Sequence, residues 1–111
     1  MIDIYLLEAG GSAHGGSDFP DESNWLGSID LDEHRRLLLL FKKCELRGAR
    51  FSYFEDSVLR LEEVRTMNEV FDKGFDEIAR GDPETVDAYE KFKKILSAAL
   101  YRNAGMAGFC D

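Results

Sequence analysis

Between residues 30 and 48 the chain reads DLDEHRRLLLLFKKCELRG. His34, Leu37, Leu38, Phe41 and Cys44 recur at three- and four-residue steps, which on a helix makes one apolar stripe. Asp30 is placed to accept the free N–H groups of a first turn, and Glu33, three residues on, to bond back to it. Lys42, Lys43 and Arg47 suit the negative end of the dipole, and Gly48 suits a left-handed cap. The spacing predicts a helix over 31–47. Leu39 and Leu46 fall on its opposite side, among Arg35, Lys42 and Lys43. They are either isolated or covered leucines, or a contact patch for a partner or a second copy.

Elsewhere Ile2, Ile4 and Leu6 alternate with Asp3, Tyr5 and Leu7, predicting a strand over 2–8. Residues 9–28, rich in Gly, Ser and Asp, read as one long loop pinned by Phe19, Trp25 and Leu26. Residues 49–55, ARFSYFE, suit a second strand with Phe51 and Tyr53 on one face. Strand, helix and strand allow a right-handed parallel β-α-β unit, and Val58-Leu59 a short hairpin arm. Leu61, Val64, Met67, Phe71, Phe75 and Ile78 share one face of a helix over 61–79. Gly74 within it implies close packing or a kink, and Asn68 on the apolar face requires partners. Gly81-Asp82-Pro83 stops that helix and starts another over 83–102, with Tyr89, Phe92, Leu96, Ala99 and Leu100 inward. Residues 103–111 are small and apolar, expected to dock on the sheet or lie near the first loop. The expected fold is α+β, or small α/β: one domain over 1–111, with two to four short strands packed against three helices.

A chain of 111 residues fits one domain and needs no staple. Its apolar runs fall short of the roughly 20 residues of a membrane span, and residues 1–11 lack the basic start of a signal peptide. A cytoplasmic protein is expected. Cys44, on the core stripe, reads as a buried inert thiol, and nothing requires its pairing with Cys110.

The net charge of −8 is unevenly spread. Residues 1–29 carry acids and no base, and residues 55–90 hold twelve acids against four bases. Without a basic cluster, nucleic-acid binding is excluded as the expected function. A basic protein partner is favoured instead. Its expected docking face is the outer side of the second helix, at Glu62, Glu69, Asp72 and Asp76, extended by Glu55 and Asp56. Tyr53 and Trp25 are the candidate aromatic anchors. Monomer and homodimer both fit.

Gly10-Gly11 and Gly15-Gly16 flank His14, but no Lys-Ser/Thr pair follows, so a phosphate loop fails. Asp18 and Ser12 near His14 do not make a triad. The histidines at 14 and 34 and the cysteines at 44 and 110 lack zinc spacing, and the acids lack a calcium ladder. No cofactor or metal is expected, and an enzyme is disfavoured. The alternative reading is a small enzyme or ligand-binding protein using loop 9–28.

The run LDEHRRLLLLFKKCELRGARFSYFED, followed by SVLRLEEVRTMNEVFDK, resembles small bacterial immunity-type proteins that accompany polymorphic toxins. The shared features are a Leu-Asp-Glu-His helix start, a short aromatic strand ending in acids, and a Leu-x-x-Glu/Val helix. Residues 30–73 carry the likeness. Arg60 departs from it, where a better helix cap is expected. The resemblance implies a cytosolic binder that neutralises a toxin, with a basic toxin such as a nuclease matching the acidic charge.

Overall fold

A computed structural model of the chain describes residues 1–7 and 24–110. The order is β1 (Ile2–Leu7), β2 (Trp25–Ile29), α1 (Leu31–Arg36), α2 (Leu38–Leu46), β3 (Ser57–Leu59), α3 (Leu61–Ala79), α4 (Pro83–Tyr101) and β4 (Gly105–Cys110). The class is α+β, with four helices and a four-stranded sheet ordered β2-β1-β4-β3 among the described residues.

Every strand pair is antiparallel, which overturns the parallel β-α-β unit. The loop expected over 9–28 is also corrected at its end, because residues 25–29 form β2. The rest of that segment, with His14 and the paired glycines, lies outside the described residues. β3 pairs with β4 rather than in a local hairpin. The final segment is β4 itself, inserted between β1 and β3.

Residues 49–55 form no strand. Side chains cap this backbone locally: the Ser52 N–H donates to Ser57 Oγ at 3.2 Å, and the Phe54 N–H to Ser52 Oγ at 3.2 Å. Such bonds compete with ladder pairing. Phe51 is buried, Tyr53 is partly buried against the core, and Phe54 is exposed.

Where one helix is expected over 31–47, there are two. Asp30 and Glu33 make the capping box, with bonds of 2.8 and 2.9 Å. The helix then bends at Leu37, whose N–H is shared between the Glu33 and His34 carbonyls. Past the bend Leu40 is buried and Leu38 is not. Four successive leucines leave the helical phase open, and Gly74 on α3 settles it. A Cβ at Gly74 would overlap Leu40 Cδ2, so Leu40 would have to shift to admit one. Gly48, at φ +94°, closes α2, with Ala49 and Gly48 N–H groups returning to the Cys44 and Glu45 carbonyls.

α3 has the expected bounds. Arg60 is no side-chain cap, but Glu63 supplies what it lacks by accepting from the Arg60 N–H at 3.0 Å and the guanidinium at 3.2 Å. Val70 is buried and Phe75 partly exposed, the reverse of the expected stripe. α4 starts on Asp82, which accepts from the Thr85 N–H at 2.8 Å. Arg36 ties α1 to that start through Asp82, Glu84 and Thr85. Phe41, Phe51, Phe71 and Phe92 meet at the centre, with Phe92 fully buried.

His34 is buried beside that cluster. It stacks on Phe41 at 4.9 Å and bonds to the Phe51 backbone, while Nε2 has no hydrogen-bond partner among the described residues. Burial lowers its pKa from the ordinary 6.5, outweighing the Phe51 bond, which acts the other way. Folded His34 therefore resists a proton that unfolded His34 accepts. Its contribution to stability is intact above pH 6.5 and is lost as pH falls from 6.5 through the depressed folded value. Urea unfolding at pH 7.5, 6.5 and 5.5 should show that slope, and His34→Phe should flatten it. An unchanged slope in the variant assigns it to other groups.

Candidate interaction surface

Strand alternation gives the sheet two unlike faces. Ile2, Ile4 and Leu6 of β1, Ile29 of β2, Leu59 of β3 and Met106 of β4 are buried beneath the helices. Their neighbours point the other way. Tyr5 pairs with Trp25 on one side and Ala107 on the other, and Ala107 pairs with Val58. One row, Trp25–Tyr5–Ala107–Val58, therefore crosses all four strands. In the adjacent row Asp3 pairs with both Ser28 and Phe109.

Among the described residues of this outer face, Trp25 is 50 % exposed, Val58 63 % and Phe109 37 %, and Ala107 between them is buried. Phe109 sets its ring edge on Tyr5 at 5.7 Å. Asp3 is the sole charged residue among the four strands, and the Trp25 indole N–H donates to its carboxylate at 3.3 Å. The indole is thus oriented while its ring stays accessible. Asp56 borders the same face, accepting from the Cys110 N–H at 3.0 Å beside Phe109.

The other residues singled out in the sequence are placed differently. Tyr53 packs at 5.5 Å from His34, against the core and apart from Trp25. On α3, Glu69 lies between Lys73 at 3.0 Å and Arg47 at 3.4 Å. Those two partners, Lys73 first, lower its pKa. Asp72 is held by Lys93 and Asn68, which also answers the need of the Asn68 amide. Glu62 and Asp76 are exposed and form no ion pair among the described residues. The acidic helix face is therefore a mosaic of acids and bases. Glu55 pairs with Arg50 at 3.5 Å, and neither it nor Asp56 bonds to the α3 acids. Leu39 and Leu46 are exposed on α2.

Tyr5, Val58 and Phe109 were not singled out by sequence. The alternation of β1 marks Tyr5 as facing away from Ile4, but only the strand register puts the four side chains in a row. Among the described residues no group of three or more His, Cys, Asp or Glu side chains is arranged to hold a metal. Among the described residues no helix is long and apolar enough to cross a membrane. No family model, curated protein or solved structure matches the chain.

Proposed function

We propose that this chain is a protein-binding module that takes a basic protein through the open face of its sheet. Extending the likeness of residues 30–73, we propose that it acts as a cytoplasmic immunity-type inhibitor of a basic toxin. The observation that carries the docking reading is the outer sheet face on which Trp25, Val58 and Phe109 are exposed. Tyrosine and tryptophan, large and stiff with one polar tip, are the residues most often found as interface anchors. An arginine of the partner can lie on the Trp25 ring and meet Asp3 together, combining a cation–π contact with an ion pair. The net charge of −8 draws such a partner from a distance. Open aromatic sheets also serve single-stranded nucleic acids. Here the one charge on the strands is a carboxylate, which repels phosphate.

The test is co-expression with the product of a neighbouring toxin-like gene, followed by binding kinetics. The wild type should protect the cells. Trp25→Ala with Phe109→Ala should keep the melting temperature within a few degrees, weaken binding at least tenfold and abolish protection. A second arm carries Glu69→Lys with Asp72→Lys. If that pair slows association at low salt while the sheet variant binds normally, docking centres on α3 instead. A genomic neighbourhood without a toxin removes the immunity role and leaves the docking face to be tested with other basic proteins.

A further inference from the structure

A second surface lies between α2 and α3, away from the sheet face. A groove of about 300 Å³ is lined there by Lys43, Leu46, Arg47, Val70, Lys73 and Gly74. Gly74 lies in it, and Leu40 packs where a Cβ of that residue would sit. The floor is then Val70 and bare helix backbone. Leu46, 88 % exposed, forms a wall. The charged lining is three cations and no acid, in a chain of net charge −8.

Those cations already show what they accept. Lys73 from α3 and Arg47 at the C-terminal cap of α2 converge on one carboxylate, that of Glu69, and Lys43 holds Glu77 at 3.1 Å. Each of these side chains is at least two-fifths exposed. Ion pairs so exposed contribute little and exchange readily. The groove thus has a carboxylate position occupied by its own Glu69, beside the exposed apolar wall at Leu46.

We infer that this groove binds a small amphipathic carboxylate, an unbranched aliphatic chain of medium length with one anionic head. The head displaces Glu69 from Arg47 and Lys73. The chain lies along Leu46, Val70 and the Gly74 backbone. The volume is at the lower end for ligand pockets, which suits a medium chain and excludes a bulky ring system. Three cations on the rim select an anion over a neutral or cationic head.

Titration calorimetry with decanoate, below its micelle concentration and at low salt, tests this. One saturable site is expected. Arg47→Ala with Lys73→Ala should weaken it at least tenfold, and Leu46→Ser severalfold. Glu69→Gln, which removes the competing carboxylate, should tighten it severalfold. Trp25→Ala with Phe109→Ala should leave it unchanged, separating this groove from the sheet face. Thermal melts confirm that each variant folds. Absence of a saturable site, equal affinity for decanol, or indifference to the Arg47/Lys73 pair overturns the assignment. So does dimerisation in sedimentation that Leu46→Ser abolishes without any decanoate binding, since the groove then belongs to a second copy.

Discussion

Phe92→Ala should cost about 3–5 kcal/mol, the range for a fully buried phenylalanine. Phe92 is fully buried, and its ring centroid lies 5.1 Å from Phe41, 5.1 Å from Phe71 and 5.6 Å from Phe51. Truncation removes contacts to α2, α3 and the 49–56 segment at once. The cavity opens among rigid rings that collapse poorly, so transfer and cavity costs add. Domains of this size hold about 5–15 kcal/mol in all. The loss is thus about a fifth of the total or more, visible as a melting temperature lower by roughly 10–20 °C. A drop of only a few degrees would show that neighbouring side chains refill the space.

Gly105→Ala should destabilise by about 3 kcal/mol, at the upper end for overpacking. A Cβ there would overlap the Leu59 carbonyl oxygen and sit 3.1 Å from Arg60 Cα. Both obstacles are backbone, so no rotamer change relieves them. The added methyl must push β3 from β4, and with it the start of α3, which follows β3 directly. Hydrogen exchange separates this from a general loss of stability. Amides of Val58 and Leu59 should lose protection before those of β1. If β3 amides keep wild-type protection, the strands accommodate the methyl and the close approach is not essential.

The helices were largely legible because their signals are local. The Asp30–Glu33 box, the Asp82-Pro83 start and the period of α3 each lie within a few residues. The sheet was legible only where a strand alternates by itself, as β1 does. β2 reads WLGSI and β4 GMAGFC, and glycine, serine and alanine carry no strand preference. Their extended form depends on partners far along the chain: Trp25 against Tyr5, and Ile2 against Cys110. The 49–55 alternation misled for a related reason. Phe51 and Tyr53 do face inward, but toward His34 and its neighbours, and no free strand edge receives their backbone. Of the candidate surface, Trp25 was legible as a residue. The row it belongs to is a property of register, which no local pattern encodes.

The position of β4 bears on how the chain acquires its shape during synthesis. Of the described elements it is made after all the others, yet it joins β1, made before them, to β3. Until residues 105–110 emerge, β1 and β2 form a bare two-stranded ribbon, marginal by itself, and β3 has no partner. Pairings across nearly the whole chain also form slowly. Trp25 and Tyr5 are therefore made early and presented on a finished sheet late. A nascent chain keeps its inner strand edge unpaired throughout that interval, and this is where premature pairing with another chain would begin.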